Sequence, residues 1–149
     1  MTWFLAAQRA GLGALSLART EGESRLCEVV LEDLIERLDF DLAVRGARAV
    51  PVLADRTLAG AGVDYIVLGS RLGTEVMRRM LSERLGRAAL PTYFLAPSDG
   101  GLWQRHCAAL NAVALHSVEA ARIRADVLHG FEVFTRAAEA QPEVRGEAA

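Results

Sequence analysis

The chain has 149 residues, of which 17 are basic and 19 acidic, so its formal net charge at pH 7 is -2. A hydrophobic content of 52% suffices for a packed core at this length, which excludes a disordered chain and a small domain held together by disulfides. Every basic residue is an arginine, so chemistry that needs a lysine nucleophile or a phosphate-binding lysine is also excluded.

The predicted helices follow from hydrophobic spacing and from helix-end signals. Apolar pairs recur at helical spacing between residues 24 and 42, Gly86 is a typical helix stop, and Ser117 is a typical N-cap. In chain order, the predicted helices span residues 2–17, 24–42, about 55–85, 102–112 and 117–140. We therefore predict an all-α fold in which residues 1–140 form one compact helical bundle and residues 141–149 a frayed tail.

The last predicted helix has an apolar stripe and a charged face. The predicted inward stripe is Ala120, Ile123, Val127, Phe131, Phe134 and Ala138. Arg122, Asp126 and His129 occupy the other face, where we expect solvent exposure and an ion pair between Arg122 and Asp126 at i,i+4 spacing. We therefore predict that the apolar stripe packs against the rest of the bundle and that the charged face is solvated.

Charge and cysteine usage narrow the compartment and the partners. A slightly negative chain with scattered arginines is a poor nucleic-acid binder. The longest apolar run, 59–70, contains Asp64 and is too short to span a membrane, and the N-terminus has no basic region typical of a signal peptide. Cys27 and Cys107 are far apart in sequence, so two free thiols are favoured over a single disulfide. These features predict a soluble, cytoplasmic protein.

Residues 62–81 are the most informative part of the chain. Gly69 and Gly73 stand four residues apart on the same helical stripe as Ile66 and Met77. A glycine in a helix interior costs about 1 kcal/mol relative to alanine. Two of them on one stripe allow the helix to bend and allow a second helix, or a flat ligand, to approach the backbone. Close helix packing and ligand binding both stay open at this point.

The run Tyr-Ile-Val-Leu-Gly-Ser-Arg-Leu-Gly at residues 65–73, with an arginine at 78 or 79, resembles the distal-helix motif of the bacterial, biliverdin-forming heme oxygenases. Weaker similarity covers residues 3–8, 93–95 and 103–110. The resemblance implies a heme-oxygenase-like bundle with a glycine-kinked central helix. It also implies a family role in oxidative heme cleavage to biliverdin, CO and iron.

The same resemblance assigns roles to individual residues. In this family the heme lies between a proximal helix, which gives the iron a histidine, and the distal glycine helix. The implied catalytic residues of the distal side are Gly69, Ser70 and Gly73. The implied heme-binding residues are Tyr65, Gly69, Gly73, Met77 and Arg122, the arginine through a propionate, with Arg124 as a second basic candidate. The implied partners are heme or a related tetrapyrrole and an electron donor.

Several positions depart from the family pattern. Leu68 replaces the motif's glutamate and Thr74 its second adjacent glycine, and the chain begins after the family's proximal helix. Its three histidines, His106, His116 and His129, lie in the last third of the chain, and none matches the ligand position. No metal ligand is therefore predicted, and His106, on an apolar face, is only a weak candidate.

Two alternatives remain at this stage. Without a ligand helix the bundle would expose apolar surface, so the chain could be a non-catalytic interaction module that pairs with another protein or forms a homodimer. The other possibility is that Met1 is an internal methionine of a longer reading frame. The first alternative predicts no heme binding, and the second restores the enzyme.

Overall fold

The structure is a computed structural model that describes residues 1–98 and 100–142. Within these residues it contains five α-helices and no β-strand, which confirms the all-α prediction. The helices are α1 (Thr2–Leu17), α2 (Glu28–Val44), α3 (Gly60–Leu85), α4 (Gly100–Asn111) and α5 (Val118–Ala140). Two short 3₁₀ helices, Arg87–Ala89 and Thr92–Leu95, connect α3 to α4. No helix in the described part is long and apolar enough to cross a membrane.

The core lies where α1 packs against α2 and α5, and where α3 packs against α5. Leucines of α1 and α2 and β-branched residues of α3 fill it, each burial contributing roughly 1.5–3 kcal/mol. The large side chains at its centre are Leu5, Leu12, Leu15, Leu31, Leu34, Leu38, Val63 and Val67. The second 3₁₀ helix adds Tyr93 and Phe94, whose rings contact Phe4. This core fixes α3 as the central helix of the bundle.

Three buried aspartates cap segments that are distant in sequence. Asp41, Asp64 and Asp126 are each 1–4% exposed. Each carboxylate accepts hydrogen bonds of 2.8–3.1 Å from backbone N–H groups. Asp64 accepts from Leu26 and Cys27, and Asp126 accepts from Ala59. Asp41 accepts from Thr92 and Tyr93. A carboxylate at the start of a helix satisfies N–H groups that have no partner within the helix. These long-range caps therefore set where α2, α3 and the second 3₁₀ helix begin.

The caps explain why two predicted helix starts were wrong. α2 begins at Glu28 instead of 24, and α3 begins at Gly60 instead of 55–57. The chain before α3 is extended, and Leu58 donates to the carbonyl of Ala18 at 2.8 Å. α4 begins two residues before its predicted start. Gly86, at φ 77°, ends α3 as predicted, and Ser117 caps α5 by accepting a hydrogen bond from Ala120.

The predicted inward stripe of α5 was also wrong. The buried residues of this helix are Asp126, Gly130, Val133 and Ala137. Phe131 is instead 51% exposed, and Asp126 lies in the interior and not on a solvated face. Small residues let the α5 backbone approach α3, and Ile66 fills the space that a side chain at Gly130 would need. Backbone proximity, and not the size of the apolar side chains, decided which stripe faces inward.

The end of the described region is anchored to the bundle. Gln141, which the sequence placed in the tail, is 4% exposed. Its side-chain amide donates to the carbonyls of Val50 and Ala137, and its side-chain oxygen accepts from the N–H of Val50 at 2.8 Å. The rest of the predicted tail, residues 143–149, lies outside the described residues.

Candidate functional site

The second half of α3 presents an apolar surface to solvent. Leu72, Val76 and Met80 are each more than half exposed and Met77 is 38% exposed. Helical spacing places these side chains on the side that also carries Gly73. We call Leu72, Gly73, Val76, Met77 and Met80 the α3 outer face. Contiguous exposed apolar surface of this kind marks a binding site more often than a solvated helix.

The two motif glycines have different surroundings. A Cβ at Gly69 would lie 3.3 Å from the ring of Trp103, whereas nothing lies within 4 Å of one at Gly73. Gly69 therefore lets α4 pack closely, which is the structural alternative left open by the sequence. Gly73 leaves open space in the middle of the α3 outer face. α3 itself continues without interruption through both glycines.

Polar groups beside the glycines are bonded to their own helix. Ser70 is exposed and its hydroxyl donates to the carbonyl of Val67 at 2.9 Å. The Thr74 hydroxyl donates to the carbonyl of Ser70 at 3.0 Å. The Ser70 hydroxyl thus bonds within α3, whereas Thr74 also interacts through its side chain with Tyr93 of the second 3₁₀ helix.

One end of the outer face adjoins a cluster of three rings from α3 and α4. The Tyr65 ring lies 5.7 Å from Trp103 and 6.1 Å from His106, between ring centroids. His106 is 1% exposed, and its Nε2 has no hydrogen-bond partner. Burial lowers the pKa of His106 below 6.5 despite the opposing charge of Asp64, so the imidazole is neutral. The structure places this candidate ligand behind the rings and away from the outer face.

The other two histidines lie on α5 and on the connection that precedes it. His116 is exposed in the connection between α4 and α5. His129, predicted to be solvated, has a side chain that is only 14% exposed, with Nδ1 3.4 Å from a Glu132 carboxylate oxygen. Among the described residues, no group of three or more His, Cys, Asp or Glu side chains could hold a metal ion.

Both cysteines are free thiols, as predicted. Burial raises the pKa of Cys27, and the neighbouring Asp64 carboxylate raises it further. The Cys27 thiol is therefore protonated and unreactive at neutral pH. It belongs to the core and offers no nucleophile.

An apolar cleft that the sequence did not predict opens beside Tyr65, between the end of α4 and α5. Its volume is about 370 Å³, within the range of small-molecule sites. Leu110, Val113, Leu115, Ala120, Ile123, Val127, Leu128 and Phe131 line it together with Tyr65 and Arg124. Arg124 is the one charged residue of this lining. The signal in the sequence was the row of large apolar residues on α5, which was read as core.

Arg122, the sequence candidate for a propionate, lies elsewhere. Its Nη1 is 2.9 Å from the Glu23 carboxylate and its Nη2 donates to the Thr20 hydroxyl. Glu23 also accepts from the N–H of Gly60, at the start of α3. Thirteen residues of helix, about 20 Å, separate that point from Gly73. The structure brings Arg124, and not Arg122, to the apolar cleft.

The arginines that follow the motif are paired on the surface of α3. Arg78 and Arg79 contact the Glu75 carboxylate at 2.6 and 3.2 Å. Hydrogen bonds from Arg78 and then Arg79 lower the pKa of Glu75 from 4.5 to about 2. Both arginines therefore form ion pairs with Glu75 on the surface of α3.

One curated relative matches the chain. A heme oxygenase from Xanthomonas campestris pv. campestris (strain 8004) is 36% identical over 119 residues, which cover 72% of this chain and 70% of the relative. This chain belongs to the heme oxygenase family. No family model and no solved structure matched it. The five-helix bundle accordingly fits a heme-oxygenase-like fold.

In this heme oxygenase family member, α3 contributes both to the apolar cleft, through Tyr65, and to the α3 outer face. The structure exposes Tyr65 at the cleft and Gly73 and Met77 on the α3 outer face, and it keeps Gly69, which lies between them along the helix, beneath Trp103. A larger cavity of about 890 Å³ lies between α1, α2 and residues 46–53, away from the glycine helix. The candidate site is therefore the region around Tyr65 and Gly73.

Proposed function

We propose that this chain binds heme as its substrate and acts in the oxidative cleavage of heme to biliverdin, CO and iron. The observation that carries the proposal is the open space at Gly73, in the middle of an exposed apolar helix face. The relative named heme oxygenase supports the same substrate class. A cytoplasmic location, where a reduced electron donor is available, fits this activity.

The residues around Gly73 suit a porphyrin. A flat, largely apolar macrocycle binds best to a flat apolar surface. Leu72, Val76 and Met77 form such a surface around Gly73, which has no side chain to keep the ring away from the helix. Of the motif residues that the family resemblance assigns to the distal side, Gly73 and Ser70 are then exposed to the heme, whereas Gly69 lies at the edge beneath Trp103. Tyr65 bounds this surface at the end where the apolar cleft begins.

Propionate groups require a cation near the edge of the apolar surface. Arg124 lines the apolar cleft, while Arg122 is engaged by Glu23 and Thr20. A guanidinium binds a carboxylate through two parallel hydrogen bonds. We therefore assign a propionate to Arg124 in preference to Arg122.

The positions of the three histidines bear on how the heme iron is ligated. None of the three lies on the α3 outer face, and His106 is shielded from it by Tyr65 and Trp103. Heme held at the α3 outer face would therefore receive no ligand from a histidine of that face, and added imidazole could supply one. Such a complex takes up an added ligand, whereas a histidine-ligated one has no vacant proximal position.

A heme titration monitored by visible absorption tests this proposal. We expect a Soret band that sharpens when imidazole is added, and at least a tenfold weaker Kd for Gly73→Leu. Gly73→Leu is the informative variant because its side chain enters open space, whereas a leucine at Gly69 collides with Trp103. Ala108→Leu, an exposed position on α4, is the matched control. A spectrum identical to that of free heme with and without imidazole, or equal affinity of Gly73→Leu, contradicts the proposal.

The exposed apolar residues also favour a second candidate, a non-catalytic module that dimerises through the α3 outer face. This reading predicts a concentration-dependent dimer in sedimentation that Val76→Glu dissociates, together with no heme binding. A monomer that binds heme excludes it. Formation of biliverdin and CO with a chemical reductant separates an active oxygenase from a heme-binding protein without turnover.

A further inference from the structure

α4 buries fewer residues than any other helix of the described region. His106 is its one buried residue, whereas α1 buries eight residues and α5 four. α4 packs mainly against α3, and a cavity of about 20 Å³ remains where Trp103 meets Leu68 and Leu72. Segments with few buried contacts open at a lower free energy than the core does. We therefore expect α4 to separate from the bundle before the other helices unfold.

α4 covers the part of α3 that lies between the apolar cleft and the α3 outer face. The Trp103 ring lies 3.3 Å from the position that a Cβ of Gly69 would take. Its centroid is 5.7 Å from that of Tyr65, which lines the apolar cleft. Trp103 also borders the small cavity together with Leu72, a residue of the α3 outer face. Displacing this one ring would therefore join the two apolar surfaces across Gly69.

His106 fits its position in α4 only while its imidazole is neutral. The residue is 1% exposed, and its Nε2 is buried without a hydrogen-bond partner. Both ring nitrogens of a protonated imidazole carry a hydrogen, so protonation would leave a charged N–H group at Nε2 without an acceptor. Such a buried charge strongly disfavours the packed position of α4. Burial accordingly lowers the pKa of His106 below 6.5.

The titratable groups that face His106 are Asp64 and Tyr65, both on α3. The charge of Asp64 favours the imidazolium, but this carboxylate already accepts hydrogen bonds from the N–H groups of Leu26 and Cys27. In the open form, water surrounds the imidazole and its pKa returns to 6.5. The open form therefore binds the proton more readily than the packed form does. The packed position is fully favoured above pH 6.5 and is lost progressively as the pH falls below that value.

We propose that α4 covers a third apolar surface, at Gly69, and that protonation of His106 opens this cover and admits the edge of a planar tetrapyrrole. The role of the tetrapyrrole rests on the proposed function, whereas the cover and its control by His106 do not. The opened surface runs from Tyr65 past Gly69 to Leu72, so both motif glycines would contact one flat ligand.

Native-state hydrogen exchange, followed by mass spectrometry, measures the opening without any ligand. Protection factors compare each exchange rate with the intrinsic rate at the same pH, and they are taken for residues 102–111 and for a peptide within α1. Between about pH 7.5 and 5.5, the protection of α4 should fall by about two- to tenfold, because only the open form binds the proton readily. The protection of α1 should stay constant.

Three variants locate the effect. His106→Gln gains no proton in this range, so the protection of its α4 should not depend on pH. His116→Gln, at an exposed position that follows α4, is the matched control and should keep the wild-type dependence. If His106→Gln fails to fold, an NMR titration of the wild-type His106 ring replaces it, and the loss of α4 protection must follow that titration. Trp103→Ala removes the covering ring and should bind heme at least threefold more tightly than the wild type at pH 7.5.

Several results overturn the inference. Protection of α4 that is constant with pH, or that falls equally in α1, shows that α4 is not a separate cover. A pH dependence that persists in His106→Gln assigns the control to another group. If the wild type binds heme and Trp103→Ala binds it no more tightly, the surface at Gly69 does not take the tetrapyrrole. If neither protein binds heme, the proposed function fails, and the exchange results alone decide whether α4 is a cover controlled by His106.

Discussion

The two halves of α3 belong to one helix but have different surroundings. In residues 60–68, Val63, Ile66 and Val67 are at most 3% exposed, and carboxylates from other parts of the chain cap the helix start. In residues 69–85, Leu72, Val76 and Met80 are more than half exposed. The first half is built into the core, and the second half keeps its apolar side chains available. A single helix thus has one half that stabilises the core and one half whose apolar side chains are exposed.

The glycines show the same division. A Cβ at Gly60 would lie 2.5 Å from the backbone carbonyl oxygen of Ser24, whereas nothing lies near one at Gly73. Gly60 is required by packing, while Gly73 lowers helix stability without any packing reason in the described residues. Residues that weaken a fold without a structural cause are expected at functional sites.

Asp126→Ala should have the largest effect, because it breaks the anchoring of the first half. It leaves the N–H of Ala59 without an acceptor and removes the partner of Arg56. We expect a loss of about 3 kcal/mol in the free energy of unfolding, measured by urea denaturation. Asp39→Ala removes an exposed ion pair with Arg9 and is the control, with a loss below about 1 kcal/mol. Equal losses in the two variants would contradict the capping role.

Gly60→Ala should destabilise the chain by roughly 1–3 kcal/mol, since backbone atoms must move to admit the methyl group. Calorimetry measures this as a lower Tm. An unchanged or higher Tm would mean that the start of α3 adapts without cost, and that the first half is less tightly fixed than its burial indicates.

Gly73→Ala should have the opposite sign. Its methyl group enters open space, and alanine is favoured over glycine in a helix by about 1 kcal/mol. The same calorimetric measurement should show a raised Tm. Gly69→Ala is the comparison, because contact with Trp103 should reduce its gain. A destabilised Gly73→Ala would show that the outer face is covered in solution.

The smallest effect concerns the surface ion pairs of the second half. Arg78 and Arg79 lower the pKa of Glu75 to about 2, so the folded state binds this proton less readily than the unfolded state. The stability contributed by Glu75 is complete above pH 4.5 and is lost as the pH falls towards 2. Because solvent screens the pair, we expect only about 0.5 kcal/mol between wild type and Glu75→Gln at neutral pH. This difference should vanish near pH 2 in urea titrations; a constant difference would contradict it.

Much of the candidate site was accessible from the sequence. The spacing of Gly69 and Gly73 and the letters around them identified the central helix and the family. The apolar cleft, and with it the reason to prefer Arg124 to Arg122 as the proposed propionate ligand, were not accessible, because Phe131 and its neighbours have the composition of a core stripe. Which stripe of α5 turns inward depends on how closely its backbone approaches α3, and that distance is a property of the assembled bundle.

The sequence by itself determined the helical class, the ends of α3 and α5 at Gly86 and Ser117, and the family. These are local properties: periodicity, capping chemistry and a short motif act within a few residues. Tertiary structure alone decided the starts of α2 and α3, because their caps, Asp64 and Asp126, come from 37 and 67 residues away. It also decided that the two motif glycines differ, since only packing places Trp103 against Gly69 and leaves Gly73 open.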